Sequence, residues 1–539
     1  MRSRMLGAAT AALLCATVLG GCTFSGNSGG AGTQEPPATP PDKTLNIVSG
    51  SENRALEPII EEFEMANGVT VNMKYQGSVD IMNALRAGAK DIDAAWPANS
   101  IWLSMGDTNN KVKLSKSVMV TPVVLGVRKS KAEELGWVGK DVTVADILAA
   151  VEAKKITFMM TSATQSNSGA SAYLGFISAL LGHPDEITLA DLDKPELQKK
   201  IRSILGGVNR SSGSSDFLKD LYLSAPNRYD AMVNYEALVI EANEKLVAQG
   251  KEPLYVVYPK DGLSLADSPL AFIDQGSAAK RELFQRFQDY LLTAEVQKRV
   301  QSLGRRTELG GIVSNPNIAV FNPAWGVKTD QPLNVIRYPK PDVIEAALNL
   351  YQTELKKPSV TVFALDFSGS MQGDGETQLK QAMNLLLSSD EASKYMLQMG
   401  DKDTVILIPF NDGVGNAMVA KGPVQSGRLA QRVEDLNAEG GTDIYSPTIA
   451  GLRLLSQYDP SVYNLSVVLM TDGESNEGKS IGDMQREYTT LNRDIPVYSI
   501  MFGQANPDQL DAVATATRGS VFDGRTDLVG AFKKVRGYN

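Results

Sequence analysis

The sequence predicts an α/β protein of at least two domains, on three observations. Its 539 residues exceed what one hydrophobic core organises. From Leu45 to Ala95 short apolar strands alternate with amphipathic helical stretches. From Ser359 to Phe502 the alternation returns with longer, β-branched apolar runs, as expected of parallel strands buried on both faces.

The first residues read as an address. Arg2 and Arg4 precede an uncharged stretch, Met5 to Leu19, that is too short to span a bilayer. Residues 1–21 are therefore expected to be a secretory leader. The run Leu19-Gly20-Gly21-Cys22 resembles a bacterial lipobox, which implies lipidation of Cys22 and a membrane anchor on the extracytoplasmic face. The two cysteines are Cys15 and Cys22, so nothing beyond Cys22 can form a disulfide or a thiolate metal site. Residues 22–43 are rich in Gly, Ser, Pro and Thr and read as a flexible tether.

Residues 44–352 form the first predicted folded region. Leu45 to Val48 is a strand. Leu56, Ile59, Ile60 and Phe63 mark one face of a helix that Asn67-Gly68 ends. Val69, Val71, Met73 and Tyr75 alternate with polar residues as a strand does. Ile81 to Ala87 looks helical, and Ile92 to Ala95 is a third strand. Strand, helix, strand, helix, strand describes an open parallel sheet, whose ligands sit beyond the carboxyl ends of the strands. Ser49, Ser51, Ser78 and Asn99 lie at or after such ends. Turns that lead into helix N-termini favour an oxyanion through free backbone N–H groups.

The spacing of Ser51, Ser78 and the Asp93-to-Asn99 segment resembles the bacterial extracellular solute-binding proteins of the molybdate and phosphate receptor type. The resemblance implies a two-lobed, type 2 periplasmic-binding-protein-like fold, with a second lobe at about 130–250. It implies that Val118 to Lys129 and Leu254 to Lys260 pass between the lobes. The Thr161 to Gly169 turn would face the first-lobe serines, and Tyr229 to Glu236 would offer Asn234 and Glu236. The candidate solute ligands are Ser51, Ser78, Asn99, Ser166, Asn167 and Asn234, for a small polar or anionic solute. Trp96 and Trp102 offer an alternative, stacking on a sugar.

Residues 359–539 form the second region. Val360 to Leu365 ends in Asp366-Phe367-Ser368-Gly369-Ser370. Thr404 to Phe410, Leu465 to Met470 and Ile495 to Phe502 are further strands, and Leu379 to Leu387, Ser446 to Leu455 and Asp508 to Thr517 are helical. The result is a doubly wound, Rossmann-like sheet. D-x-S-x-S after a buried strand is followed by Gly440-Gly441-Thr442 and Thr471-Asp472-Gly473, each at a loop. Three hydroxyls and two carboxylates suit a hard cation that prefers oxygen. The arrangement resembles the metal-ion-dependent adhesion site of von Willebrand factor A and integrin I domains. That resemblance implies Mg²⁺ (or Mn²⁺ or Ca²⁺) at Asp366, Ser368, Ser370, Thr442 and Asp472, and a protein partner offering an acidic residue to the metal.

Other chemistry finds little support. One histidine, His183 in Gly-His-Pro, cannot supply a multi-histidine zinc site, and no nucleophile–base pair or phosphate-binding glycine loop is evident. A net charge of −9 argues against nucleic acid. Ile344 to Leu355 is predicted as a helix leading into the second region, either a rigid spacer or a lever. The sequence thus reads as a lipid-anchored extracytoplasmic binding protein and not an enzyme. Two alternatives are a transporter's substrate receptor with an accessory domain, and an adhesive protein with a degenerate cleft.

Overall fold

The computed structural model describes residues 41–539 apart from positions 331, 504 and 539. The expected leader, Cys22 and the tether up to residue 40 lie outside the described residues. The strands of the first region are β1 (Thr44–Ser49), β2 (Thr70–Tyr75), β3 (Ala94–Trp96), β4 (Val112–Ser117), β5 (Thr121–Arg128), β6 (Phe158–Thr161), β7 (Val208–Ser212), β8 (Ala231–Tyr235), β9 (Leu254–Val257), β10 (Ser264–Ala266) and β11 (Pro269–Ile273). They form two sheets, one per lobe. The first has the order β2-β1-β3-β11-β4, and the second β10-β5-β8-β6-β7 with β9 also on β5. β1 pairs in parallel with β2 (Ile47 opposite Met73) and with β3 (Ile47 opposite Ala94).

The chain crosses between lobes at places the sequence indicated only in part. It leaves the first sheet through Val118–Val120, between β4 and β5, and returns through Asp267–Ser268, between β10 and β11. Leu254 to Lys260 does not cross: β9 pairs antiparallel with β5, Leu125 opposite Val257, and buries Leu254, Val256 and Val257 within the second lobe. A third crossing follows the helices Ala278–Leu291 and Ala294–Ser302, where Arg306 bridges Val120. The second lobe is therefore wider than 130–250. Its sheet runs from residue 121 to 266, and the chain beyond Arg306 returns to it.

At that third crossing Arg306 grips Glu236. Both are fully buried, with Nε–Oε1 at 2.8 Å and Nη2–Oε2 at 2.6 Å, and Tyr258 donates its hydroxyl to the same carboxylate. Glu236, expected near the solute, is thus committed to a bidentate pair that neutralises it.

The helix Pro341–Leu350 continues as a π turn, Tyr351–Leu355. It packs into the second lobe rather than standing alone between the domains. Ile344, Leu348, Tyr351 and Leu355 belong to the second lobe's core, Tyr173 donates to the Ala347 carbonyl at 2.9 Å, and the Tyr173 and Tyr351 rings lie 5.3 Å apart.

The C-terminal domain contains β12 (Ser359–Asp366), β13 (Thr404–Phe410), β14 (Met418–Lys421), β15 (Asn464–Thr471), β16 (Val497–Met501) and β17 (Ser520–Asp523), ordered β14-β13-β12-β15-β16-β17. All pair in parallel except β14, which is antiparallel to β13. Every residue of β12 is buried. Its Phe363 and Leu365 face the helices Asp374–Leu387, Gly422–Glu434 and Leu528–Arg536. Its Val360, Val362 and Ala364 face Tyr445–Leu455, Ile481–Leu491 and Pro507–Thr517. Helices on both faces explain the uninterrupted apolar runs.

A charge cluster joins the C-terminal domain to the second lobe. Asp494 accepts from Arg518 at 2.7 Å and from the Tyr229 hydroxyl at 2.9 Å, and pairs with Arg228 at 3.3 Å and Arg210 at 3.8 Å. Arg210 is buried and also donates to the Arg518 carbonyl. Nearby, Lys357 Nζ donates to Val208 O of the lobe and Pro460 O of the domain, and burial pushes its ammonium down to about 8.

Asp494→Ala leaves Arg210 buried without its counter-charge and is expected to cost about 3 kcal/mol in urea unfolding. Burial pushes the Asp494 carboxyl up, but Arg210, Arg518 and Arg228 outweigh it and hold it below the ordinary value. A carboxyl held low contributes stability above about pH 4 and loses it as the pH falls through its folded value. Wild type should therefore lose stability more steeply than Asp494→Ala below about pH 4, and parallel pH profiles would refute this role.

Candidate functional sites

The first candidate site lies beyond the carboxyl ends of β12 and β15. Asp366 closes β12 and is fully buried. Its Oδ1 accepts from Ser368 N at 2.8 Å and its Oδ2 from the Thr471 hydroxyl at 2.6 Å. The chain then turns, bringing Ser368 Oγ within 3.1 Å of Ser370 Oγ, which donates to Asp472 Oδ1 at 2.8 Å. Thr442 arrives on a separate loop. Gly369 N donates to Gly440 O at 3.0 Å, and Thr442 N donates to Asn476 Oδ1 at 3.2 Å. A Cβ on Gly473 would stand 3.2 Å from both Ser370 Oγ and Thr442 Oγ1, so the two hydroxyls converge on one spot and residue 473 must be small. Ser370 is exposed while the other four residues are buried, so the site opens to solvent at Ser370.

The five residues singled out from the sequence are thus brought together. Burial pushes the carboxyls of Asp366 and Asp472 up, with the Thr471, Ser368 and Ser370 hydrogen bonds offsetting only part of that effect. Two carboxylates desolvated in one place, among hydroxyls, fit a hard cation, which stabilises their charged forms. Each of these side chains keeps lone pairs beyond its present hydrogen bonds, so Asp366, Ser368, Ser370, Thr442 and Asp472 are the residues that would hold it. Among the described residues no group of three or more His, Cys, Asp or Glu side chains is placed to hold a metal ion.

The second candidate site is the seam between the lobes, which are shut against each other. Ser214 donates to Ser51 Oγ at 3.0 Å, Val79 N donates to Gln165 O at 3.1 Å, Arg54 pairs with Asp216 at 3.2 Å, and Trp102 Nε1 donates to Asn167 Oδ1 at 2.7 Å. On the second-lobe side a row of hydroxyls is linked: Thr161 to Ser168 at 2.8 Å, Ser168 to Ser215 at 2.8 Å, and Ser166 to Ser215 at 3.1 Å. Asn167 donates to the Tyr235 hydroxyl at 3.1 Å.

Of the candidate solute residues, Ser51, Ser166 and Asn167 converge on this seam. The other three have their polar atoms in other bonds. Ser78 Oγ accepts from Ala98 N at 3.0 Å. Asn99 caps a helix through Ile101 N and donates to Leu265 O at 2.9 Å. Asn234 donates to Ser215 O and accepts from Tyr235 N. Trp96 and Trp102 are fully buried, which removes them as sugar platforms.

Sequence reading passed over Ser212, Ser214, Ser215 and Asp216, although the run Ser211-Ser212-Gly213-Ser214-Ser215 follows a strand and precedes a helix as Thr161–Gly169 does. It also passed over Glu52 and Asn53, which follow Ser51 and are buried.

Residues 45–306 match the family model of the bacterial extracellular solute-binding proteins, and residues 361–528 that of the von Willebrand factor type A domain. The chain therefore carries a solute-binding domain of an extracytoplasmic kind followed by a von Willebrand factor A domain. It is 28% identical over 158 residues to the human inter-alpha-trypsin inhibitor heavy chain H6, a match covering 26% of this chain and 11% of that protein. With the bovine heavy chain H3 it shares 26% identity over 156 residues, 27% of this chain and 16% of the relative. The chain thus spans a small part of the length of these curated relatives. Among solved structures, a periplasmic binding protein from Actinobacillus pleuropneumoniae with fructose-6-phosphate bound aligns with 58% of this chain and 99% of its own at 13% identity and a TM-score of 0.44. A von Willebrand factor type A protein from Catenulispora acidiphila aligns with 34% of this chain and 43% of its own at 18% identity and a TM-score of 0.29.

Thr471→Val keeps the side chain's shape but strips buried Asp366 Oδ2 of its donor. The expected loss is about 1–3 kcal/mol in urea unfolding at neutral pH. An unchanged midpoint would mean that another group satisfies that oxygen.

Proposed function

We propose that this chain, a solute-binding domain followed by a von Willebrand factor A domain, is a lipid-anchored extracytoplasmic binding protein that holds a small solute between its lobes and a protein partner at its C-terminal domain. The observation that carries the second half is the convergence of Asp366, Ser368, Ser370, Thr442 and Asp472 from three separate loops. Mg²⁺, Mn²⁺ or Ca²⁺ at these oxygens would supply an electrophilic centre for a partner's Asp or Glu. The chain's own residues do the rest. The hydroxyls of Ser368, Ser370 and Thr442 give neutral donors, which leave a cation's charge largely uncompensated. Thr471 and the Ser368 backbone hold Asp366 in one orientation. Exposed Ser370 leaves the approach open.

For the first half, the support is a pair of lobes whose facing turns are lined with hydroxyls and backbone N–H groups, as a small polar solute requires. The role is binding, in keeping with both domain types. For the anchor, the support is the leader and the Leu19–Cys22 run. Among the described residues no helix is long and apolar enough to cross a membrane.

Asp366→Ala removes one of two site carboxylates. Calorimetric titration with Mn²⁺ should show binding to the full chain and a loss of about tenfold or more in the variant, the scale of a lost charge-assisted contact. Equal binding by both proteins would overturn the site. For the anchor, Cys22→Ser should move the protein out of the membrane fraction or leave its leader uncleaved. A mature N-terminus mapped to another residue would overturn that assignment.

A further inference from the structure

Buried polar groups in a folded protein are almost all hydrogen-bonded, so a buried acceptor left alone indicates what is to meet it. Two such acceptors belong to consecutive residues in the turn after β1, next to Ser51 of the seam. Glu52 and Asn53 follow β1 in the short turn Ser51–Leu56. Glu52 is 5% exposed and Asn53 fully buried, yet Glu52 Oε1 and Asn53 Oδ1 have no hydrogen-bond partner. The Asn53 amide is fixed from its other side, its Nδ2 donating to Ser49 Oγ at 3.0 Å, so Oδ1 is held as an acceptor.

The nearest cation does not quench Glu52. Arg305, itself 1% exposed, directs its guanidinium to the carbonyls of Leu303 at 2.5 Å and Glu52 at 2.7 Å, and pairs with Glu241. Burial therefore pushes the Glu52 carboxyl up to about 7, against the pull of its own backbone N–H and of Arg305. Glu52 lies near the opposite lobe. After burial, its charge is the main influence that pushes the Tyr235 hydroxyl upward, and Tyr235 is bonded to Asn167. The hydroxyls of Ser166, Ser168 and Ser215 can each turn a lone pair toward a donor. A cavity of about 280 Å³ opens at the seam beside Ser51 and Ser214, lined also by Phe522 and Tyr538 of the C-terminal domain; Glu52 and Asn53 lie behind Ser51 and outside its lining.

We infer that the solute held between the lobes is a hydrogen-bond donor bearing a protonated amine, which meets Glu52 Oε1 and Asn53 Oδ1, and is not an oxyanion. The inference rests on the reading that a solute binds between the lobes. A deprotonated oxyanion brings no donor for Asn53 Oδ1 and would require Glu52 to stay protonated. An ammonium group brings the missing donors and the missing charge together. Of the small polar or anionic solute that the sequence suggested, this selects a polar, amine-bearing one.

The test is a thermal-shift panel on the full chain at neutral pH, with ethanolamine, 1,4-diaminobutane and arginine in one arm and sulfate, phosphate and molybdate in the other. A ligand that binds the native state raises its melting temperature. The expected result is stabilisation in the amine arm alone. In calorimetry on the amine that stabilises most, Glu52→Gln, which keeps the shape and an acceptor but drops the charge, should bind about tenfold or more weakly. Stabilisation by an oxyanion, retained in Glu52→Gln, would overturn the amine assignment and leave solute binding standing. Silence in both arms would overturn solute binding itself. If Glu52→Gln does not fold, the wild-type comparison of the two arms decides alone.

Discussion

A parallel strand buried on both faces can carry polar chemistry only where it ends, and the candidate sites of this chain stand at such ends. Ser51 and Glu52 follow β1, Thr161 closes β6 and opens the turn to Asn167, Ser212 closes β7 with Ser215 after it, Asp366 closes β12 and Asp472 follows β15. The apolar interior that holds the sheets together expels hydroxyls and carboxylates to their edges. There the first turn of the next helix or loop supplies backbone N–H groups to orient them. Ser368 N on Asp366 is such a case, while Ser51 is met across the seam by Asp216 N of the opposite lobe. One packing constraint therefore places both the cation-type site and the solute seam.

Buried charge divides the remaining polar residues into two groups. Glu236 with Arg306, and Asp494 with three arginines, are neutralised in place, so their desolvation is offset by short, directed hydrogen bonds. Glu52, Asp366 and Asp472 are desolvated with no cation bonded to their carboxyls, which are pushed up. The first group joins lobe to lobe and domain to domain. The second lies where a ligand is proposed, and burial with incomplete neutralisation is the physical mark that separates the two.

Much of the architecture was legible because the signals were local. The period of Ile59, Ile60 and Phe63, the alternation through β2 and the all-apolar β12 each fix an element without reference to the rest of the chain. The cation-type site was legible for the same reason: each of its three motifs closes or follows its own strand or loop, and the doubly wound sheet brings the ends together. What was not legible depended on pairing at a distance. Leu254–Val257 has the composition of any apolar strand, and only its register on β5 shows that it stays within the second lobe. Glu236 could not be removed from the solute site until Arg306, seventy positions later, was seen to hold it. Glu52 was hidden among neighbours that looked like a plain turn. Its meaning comes from the partner that Arg305 gives to Glu241 instead.

The same contacts determine which parts can move together. The C-terminal domain is fastened to the second lobe by Asp494 with Arg210, Arg228 and Tyr229, by Lys357 between Val208 and Pro460, and by the Gln165 amide on the Lys533 carbonyl at 2.7 Å. Phe217 of the same lobe packs edge-on against Tyr538, with ring centres 5.2 Å apart. The first lobe meets this body through a shared apolar core, in which Val79, Met82, Ala98, Trp102 and Met105 pack with second-lobe residues, and through polar pairs. Arg54 pairs with Asp216, Ser51 with Ser214 and Trp102 with Asn167, and the charge of Asp80 faces Lys533 and Lys534. Three chain segments, at Val118–Val120, Asp267–Ser268 and Arg305–Arg306, carry the covalent connection. Lys533 lies within the helix Leu528–Arg536 and Tyr538 just beyond it, and Phe532 of that helix stacks on Phe363 of β12, so the element that meets the second lobe at Gln165 and Phe217 also packs on the strand carrying Asp366.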